Sequence, residues 1–283
     1  MIRITECPRD AMQGIKEYIP AHIKANYINR LLKAGFEKID FGSFVSPKAV
    51  PQMRDTADVL KMLELDEDSP ELLAIVANKR GAEDAAFFEE ISFLGYPFSV
   101  SETFQKKNTN ATIEESLERV ENIKKICDQT GKKLLIYISM AFGNPYGDEW
   151  HPDIVTEKIA KLKELDINDF ALADTVGVSD ESNIKGLFET LINKYPEVSF
   201  SAHLHSHPRT SMRKIKAAYE SGCRKFDSAI RGFGGCPMAE DDLVGNISTE
   251  DILKFAEENK IANNVNAGVF LDAMNYSNEV FNR

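Results

Sequence analysis

The chain has 283 residues, 43% of them hydrophobic and 28% charged, and its formal net charge is −11. These proportions are typical of soluble globular proteins, and no stretch has the roughly 20 apolar residues that a membrane-spanning helix needs. The acidic balance argues against nucleic acid as the main partner, since proteins that bind nucleic acids usually carry a basic surface.

Short apolar runs alternate with amphipathic stretches of helical length along almost the whole chain. Several of these stretches open on a capping residue or a proline, as at Pro20, Pro51, Thr112 and Pro152. The runs predict strands at residues 2–6, 37–42, 72–77, 91–100, 133–139, 169–173, 198–204 and 224–229. The stretches predict helices at residues 20–34, 51–63, 80–90, 112–129, 152–164, 180–193, 209–220 and 249–258.

Eight β/α repeats are the number that closes an α/β fold of the (β/α)8 TIM-barrel type. No Gly/Ser/Pro-rich linker or charge block interrupts the repeats, so we predict a single catalytic domain over residues 1–283. The rival architecture is a doubly wound open sheet. Its Gly-rich dinucleotide fingerprint is absent after the first predicted strand, where Cys7-Pro8-Arg9-Asp10 stands instead.

A pair of histidines ends the seventh predicted strand. His203 and His205 are two residues apart, so a strand directs both imidazoles to the same side, about 6.6 Å apart along the backbone. Two imidazole nitrogens could then bind one cation. The alternative is a pair of solvated or hydrogen-bonded core histidines, but the chain has only five histidines in all.

Further polar residues follow other predicted strands, where a barrel has its active site. Arg9-Asp10 could supply a cation for a developing enolate and a carboxylate for a metal, although such a pair is also common in surface turns. Gly245-Asn246 follows a glycine-rich segment and offers an amide oxygen. Together Asp10, His203, His205 and Asn246 would suit Mg²⁺ or Mn²⁺, while the imidazoles leave zinc and iron possible.

Three more residues are candidates for supporting chemistry. Asp40 and Asp174 each lie at the end of a predicted strand, where either could orient a ligand, act as a base or simply cap the next helix. Cys236, on the glycine-rich segment, could donate a proton or could be a buried, inert thiol. The chain's four cysteines form no CxxC pair, and no secretion signal follows Met1, so we expect a cytoplasmic protein.

Several ordered motifs along the chain resemble the HMG-CoA lyase family of metal-dependent barrels, which also includes isopropylmalate synthase. The resemblance runs nearly end to end. The motifs that carry it are Pro8-Arg9-Asp10-Ala11-Met12-Gln13, the segment 43–53, Lys106-Lys107-Asn108, Asp174-Thr175-Val176-Gly177-Val178, His203-Leu204-His205, Gly234-Gly235-Cys236-Pro237 and the segment 245–251.

The resemblance implies retro-Claisen cleavage of 3-hydroxy-3-methylglutaryl-CoA, a small acyl-CoA substrate, to acetoacetate and acetyl-CoA by a homodimeric enzyme. It also implies a role for each matching residue. Asp10, His203, His205 and Asn246 would bind the divalent cation, Arg9 would stabilise the enolate, and Cys236 would transfer a proton. Asp174 and Glu250 would be supporting active-site acids.

The chain departs from the family at a few positions. Asp40 stands where better-known members have glutamate, so we expect a shorter reach. Ser206-His207-Pro208-Arg209 replaces a familiar Asp-Thr-Tyr-Gly, and the segment 238–244 is more acidic. The alternative functions are an aldolase or condensing enzyme on a related hydroxy acid, and a catalytically degenerate barrel acting as a binding subunit.

Overall fold

The computed structural model of the protein describes residues 1–235 and 244–282. Within these ranges eight parallel strands pair in chain order, and the last strand pairs with the first, so the sheet closes into a barrel. The predicted (β/α)8 TIM barrel is therefore confirmed. The strands are β1 (Arg3–Glu6), β2 (Lys38–Ser43), β3 (Glu71–Ile75), β4 (Ile91–Ser99), β5 (Lys133–Ser139), β6 (Asp169–Asp174), β7 (Ser199–Leu204) and β8 (Lys225–Ser228).

Helices surround the barrel and connect its strands. Short 3-10 turns occupy Pro51–Met53 and Ile230–Gly232. The α-helices of the described ranges are α1 (Pro8–Gln13), α2 (Ala21–Leu32), α3 (Thr56–Leu60), α4 (Lys79–Ala86), α5 (Glu102–Thr109), α6 (Ile113–Thr130), α7 (Pro152–Lys163), α8 (Glu181–Lys194), α9 (Ser211–Glu220), α10 (Thr249–Glu258) and α11 (Ala267–Phe281). None of the helices in residues 1–235 and 244–282 is both long and apolar enough to cross a bilayer.

The predicted strands agree with the observed ones to within two residues at every end. The predicted helix at 51–63 is wrong as one element, because that stretch forms a 3-10 turn followed by the short α3. The helices α1, α5 and α11 were not predicted from the sequence. The first two are too short to show a helical period, and α11 begins only where Asn266 caps it by accepting bonds from Gly268 and Val269.

Local signals explain where the longer helices begin. Thr112 accepts a bond from the Glu115 amide at 3.0 Å, and the Glu115 carboxylate accepts one from the Thr112 amide at 2.7 Å, which is a capping box at the start of α6. Gly131 ends the same helix in the left-handed conformation, at φ 71°. Pro152 occupies the first position of α7, where its missing N–H costs nothing.

Apolar side chains fill the space inside the barrel as well as the layer between barrel and helices. A Cβ at Gly95 of β4 would force side chains of this interior set to shift. The buried residues of this interior cluster are Leu73, Ile75, Phe93, Leu135, Tyr137 and Ala171.

We predict that Gly95→Ala lowers the free energy of unfolding by about 1–3 kcal/mol, as overpacking of a core usually does. The added Cβ would lie 2.6 Å from Ile75 Cδ1 and 3.2 Å from Tyr137 Cε2. Urea denaturation measures the change. Gly186→Ala in α8 is the control, because its Cβ would meet nothing within 4 Å. That variant should gain about 0.5–1 kcal/mol, and equal losses in both would contradict the overpacking argument.

Candidate active site

A cavity of about 670 Å³ opens at the C-terminal ends of the strands. The polar residues that line its floor come from α1, from β5 and β7, and from the residues that directly follow β6 and β7. They include Arg9, Asp10, Gln13, Tyr137, Thr175, His203 and His205. The helix α1 follows β1 after the single residue Cys7, and this short connection holds Arg9 and Asp10 at the barrel end. The position agrees with the usual active-site face of this fold.

Three candidate metal ligands meet on the cavity floor. Asp10, His203 and His205 each direct a ligand atom to a common point, and these atoms lie within 4.8 Å of one another. All three residues are buried. The prediction that the two histidines share one side is confirmed, since their ring centroids are 5.4 Å apart. A carboxylate and two imidazoles at this spacing could bind one divalent cation.

Two polar atoms of this region, His205 Nε2 and Asn246 Oδ1, are buried and have no hydrogen-bond partner among the described residues. Unsatisfied buried polar atoms are costly, so their presence indicates a ligand. The Nδ1 atom of His205 lies 3.1 Å from the Thr175 carbonyl, which assigns the proton to Nδ1 and leaves a lone pair on Nε2. Asn246 Nδ2 donates to Asp10 Oδ2 at 2.6 Å, and this turns Oδ1 away from that contact. The donor set fits a cation.

The two histidines have different electrostatic surroundings. Burial lowers the pKa of His205 to about 4, and the adjacent His203 adds to this effect, so His205 is neutral near pH 7. Burial also acts to lower the pKa of His203, but Asp227 and Asp10 together outweigh it and the net shift is upward. The Nδ1 atom of His203 lies 3.2 Å from Asp227 Oδ2. This contact orients the ring, as carboxylates do behind metal-binding histidines.

Arg9 is held by three neighbours. Its Nε donates to both oxygens of Asp40, at 3.1 and 3.0 Å, and its Nη2 donates to Asp40 Oδ2 at 2.5 Å. Its Nη1 donates to Asp10 at 3.1 Å and to Gln13 at 2.9 Å. Burial acts against the charged form, yet these carboxylates raise the pKa of Arg9 above its ordinary value. The guanidinium is therefore fixed in orientation and permanently charged.

Although Asp40 is one methylene shorter than glutamate, its carboxylate contacts Arg9 and accepts bonds from two of its donors. Asp40 also lies in the middle of β2 and not at its end, and it caps no helix. Burial raises the pKa of Asp40 to about 6 even though Arg9 opposes the shift. For Asp10, in contrast, the charged form is favoured. Burial alone would raise the pKa of Asp10, but Arg9 and the two histidines lower it below its usual value.

Asp174 ends β6 as predicted, but it is not one of the described residues that line the cavity. Its Oδ2 accepts bonds from Lys214 Nζ at 2.8 Å and from the amide and hydroxyl of Ser179. The same Lys214 ammonium donates to the main-chain oxygen of His205 at 2.9 Å. The buried Asp174–Lys214 pair therefore supports the backbone on which His205 stands.

Glu250 lies in the first turn of α10 and is also not among the described cavity-lining residues. Its carboxylate accepts the main-chain N–H of Arg231 at 3.0 and 3.1 Å, where the backbone is left-handed at φ 59°. Glu250 thus stabilises an unusual turn before the glycine-rich segment. Cys236 lies outside the described residues.

The glycine-rich segment comes close to the candidate metal ligands. Gly234 has φ +105°, which disfavours any other residue, and a Cβ there would lie 2.6 Å from Asn246 Nδ2 and 3.0 Å from the Asp10 main-chain oxygen. Only glycine allows this approach. The segment therefore packs directly over the contact between Asp10 and Asn246.

Basic residues lie around the rest of the cavity, with Lys16, Lys107 and Arg119 in its lining. Arg119 donates to the main-chain oxygens of Thr109 and Asn110 at 2.9 and 3.4 Å. Lys106 instead lies on an exposed helix face, where it pairs with Glu102 at 3.0 Å. A chain of negative net charge therefore presents local positive charge to a substrate, which favours an anionic one.

Sequence reasoning missed Gln13, Tyr137 and Asp227. Asp227 meets His203 because β7 and β8 pair in a register that places these two residues opposite each other. A single sequence does not predict that register. Gln13 had a usable signal, because it stands four residues after Arg9 and therefore on the same face of a helix.

These features define a barrel enzyme with a candidate divalent-metal centre at the C-terminal ends of its strands. Residues 2–276 match the family model described as HMGL-like, and the chain belongs to that family.

Named relatives and solved structures agree. The chain is 32% identical to the mitochondrial hydroxymethylglutaryl-CoA lyase of Mus musculus, over 100% of this chain and 86% of the relative. It is 34% identical to the cytoplasmic 3-hydroxy-3-methylglutaryl-CoA lyase of Danio rerio, over 89% of this chain and 75% of the relative. A solved HMG-CoA lyase from Acinetobacter baumannii, in complex with coenzyme A and 3-methylmalate, superposes with a TM-score of 0.93 at 28% identity, covering 100% of this chain and 92% of that one.

Proposed function

We propose that this chain is a divalent-metal-dependent carbon–carbon lyase that cleaves 3-hydroxy-3-methylglutaryl-CoA to acetoacetate and acetyl-CoA. The observation that carries the proposal is the cluster of Asp10, His203 and His205 beside Arg9 on the cavity floor. Family membership and the full-length similarity to HMG-CoA lyases support it. The coenzyme A and hydroxy acid in the solved relative support an acyl-CoA substrate for the cavity.

Asp10, His203, His205 and Asn246 are the residues that would hold the cation. The two partnerless atoms, on His205 and Asn246, support this assignment. A cation there would supply Lewis acidity toward the oxygens of the substrate. Carboxylate and amide oxygens suit both Mg²⁺ and Mn²⁺. The two imidazoles favour Mn²⁺ over Mg²⁺.

The protein's own residues would manage the charge that moves during cleavage. The reaction removes the proton of the tertiary hydroxyl, breaks the C2–C3 bond and leaves the electron pair in a thioester enolate, which then takes a proton at C2. Asp10 is the candidate for accepting the hydroxyl proton, because both ring nitrogens of His203 would be engaged, one with Asp227 and the other with the cation. Arg9, oriented by Asp40 and Gln13, would donate to the enolate oxygen, because a fixed cation stabilises charge that develops only in the transition state.

A coupled assay tests the proposal. The purified protein, treated with a chelator and then supplied with Mg²⁺ or Mn²⁺, should release acetoacetate from HMG-CoA, and the chelated protein should not. If protein that binds Mn²⁺ in a separate titration released no acetoacetate with either metal, a related hydroxy-acid aldolase or condensing enzyme would be the better assignment.

A cytoplasmic location, a homodimer and one catalytic domain over residues 1–283 remain predictions.

Cys236 is proposed to exchange a proton with C2 of the product enolate. We predict that iodoacetamide inactivates the enzyme, that HMG-CoA protects it, and that Cys236→Ser binds Mn²⁺ normally but turns over more slowly. The internal controls are Cys7, Cys127 and Cys223, which are buried. Burial raises the thiol pKa of Cys127 and of Cys223 to about 12, so both should stay unlabelled. Full activity after stoichiometric labelling of Cys236, established by peptide mapping, would remove it from the mechanism.

A further inference from the structure

Glu6 is the last residue of β1, and its carboxyl is completely buried. Its Oε1 accepts the main-chain N–H of Ile230 at 2.8 Å, and its Oε2 accepts the hydroxyl of Thr249 at 2.5 Å. Burial raises the pKa of Glu6 to about 8, with Glu250 adding to the shift, so the carboxyl is mostly protonated at neutral pH. A neutral carboxyl needs no cationic partner at this depth.

The two groups that Glu6 binds belong to different stretches of chain. Ile230 lies on the outgoing arm, residues 229–235, which leaves β8 and bears the glycines. Thr249 ends the returning arm, residues 244–249, which leads into α10. The arms also bond to each other, since the Ala229 amide donates to the Ile247 oxygen at 3.1 Å and the Thr249 amide to the Ala229 oxygen at 3.2 Å. Glu6 therefore fixes both arms to the first strand.

The returning arm carries Asn246, three residues before Thr249. Asn246 forms an isolated bridge with His205, and the adjacent Ile247 amide donates to the Leu204 oxygen at 3.1 Å. The outgoing arm approaches the same side chain through Gly234. The positions of the two arms therefore determine where Asn246 Oδ1 lies relative to Asp10 and the histidines.

We propose that Glu6 is a positioning residue for the cation site, acting through the two arms on the side chain of Asn246. The inference rests on the proposed function, in which Asn246 is a metal ligand. A hydrocarbon side chain could occupy this position, but it would leave the Ile230 N–H without its buried acceptor and the Thr249 hydroxyl with Ser228 Oγ, 2.9 Å away, in place of the carboxyl. Glutamine keeps the shape and one acceptor oxygen, and its amide can donate to the Thr249 hydroxyl.

Mn²⁺ affinity, measured by calorimetry on the intact protein, tests the role independently of catalysis. Glu6→Val should weaken Mn²⁺ binding about 10- to 100-fold, as the loss of groups that orient ligands usually does. Glu6→Gln should stay within about threefold of the parent, because it retains an acceptor. Thr249→Val, which removes one of the two contacts, should give an intermediate loss and serves if Glu6→Val does not fold.

The matched control is Ile4→Ala. Ile4 is buried two residues earlier on the same strand and on the same face, so its truncation weakens β1 but removes neither of the hydrogen bonds that join Glu6 to the arms. At saturating Mn²⁺, turnover of Glu6→Val or Thr249→Val should recover to within about threefold of the parent if positioning is the only defect.

Parental Mn²⁺ affinity in both Glu6→Val and Thr249→Val, together with weakened binding in Asn246→Ala, would overturn the role of Glu6 and leave the metal site intact. An Ile4→Ala variant that lost Mn²⁺ as strongly as Glu6→Val would also overturn it, because general weakening of β1 would then explain the effect. Parental affinity in Asn246→Ala would instead remove Asn246 from the ligand set, and the role of Glu6 with it.

Discussion

Arg9→Lys is expected to lower kcat about 10²- to 10³-fold, the loss usually seen when one stabilising donor is removed from an anionic transition state. The parent guanidinium binds Asp40, Asp10 and Gln13 at once through its planar set of donors. A lysine ammonium is a point charge with a shorter reach, so it cannot keep these contacts and also address an enolate oxygen. KM should change less than kcat, since the enolate exists only along the reaction path.

Arg119→Lys is the matched control for Arg9→Lys. Arg119 also lines the cavity, and it donates to the main-chain oxygens of Thr109 and Asn110 at 2.9 and 3.4 Å. The same exchange there should change KM by a few-fold and leave kcat near the parent value. Steady-state kinetics on HMG-CoA with saturating Mn²⁺ separates the two constants. Near-parental turnover by Arg9→Lys would exclude Arg9 from the chemistry.

The barrel could be predicted from sequence because strand positions depend on local apolar runs and turns. The runs at 133–139 and 91–100 match β5 and β4 almost residue for residue. Helices that depend on a single cap or on tertiary packing were not predictable in the same way. The helix α11 is an example, since its aromatic Phe281 packs on Tyr27 and Phe233, which are distant in the sequence.

The residues of the candidate site also differ in whether local sequence or tertiary packing determines their positions. Motif and strand-end position were sufficient to predict that Arg9, Asp10 and the two histidines lie together, because a barrel brings the C-terminal ends of all its strands to one rim. They were not sufficient for the contacts made behind these residues. Asp174 ends a strand yet binds Lys214, and its distance from the cavity depends on side-chain direction, which strand position alone does not determine.

The buried charges on the cavity floor are compensated within a small group of side chains. Asp10 accepts bonds from Arg9, Gln13 and Asn246, at 3.1, 2.7 and 2.6 Å. Because these donors hold both of its oxygens, the carboxylate keeps its place when neighbouring groups change. A substitution at a different ligand should therefore report mainly on the ligand that is removed.

His205→Ala is expected to weaken Mn²⁺ binding by at least about 100-fold, more than the loss of a group that only orients a ligand. The side chain supplies Nε2, which is buried without a hydrogen-bond partner, while its Nδ1 is engaged with the Thr175 carbonyl. Because the pKa of His205 is lowered to about 4, the parent imidazole is neutral at pH 7 and the substitution does not change the charge of the site. The lost affinity would therefore reflect the missing ligand atom and not an altered field on Asp10.

The control for His205→Ala is His207→Ala, two residues further along. His207 is exposed, and its Nδ1 accepts the main-chain N–H of Arg209 at 3.2 Å. This variant should bind Mn²⁺ and turn over HMG-CoA as the parent does. For His205→Ala, turnover should fall with metal affinity and should not return fully at saturating Mn²⁺, since three ligands hold a cation less rigidly than four. Retained Mn²⁺ affinity in a folded His205→Ala protein would place the cation elsewhere, and the cluster of Asp10, His203 and His205 would then no longer define the metal centre.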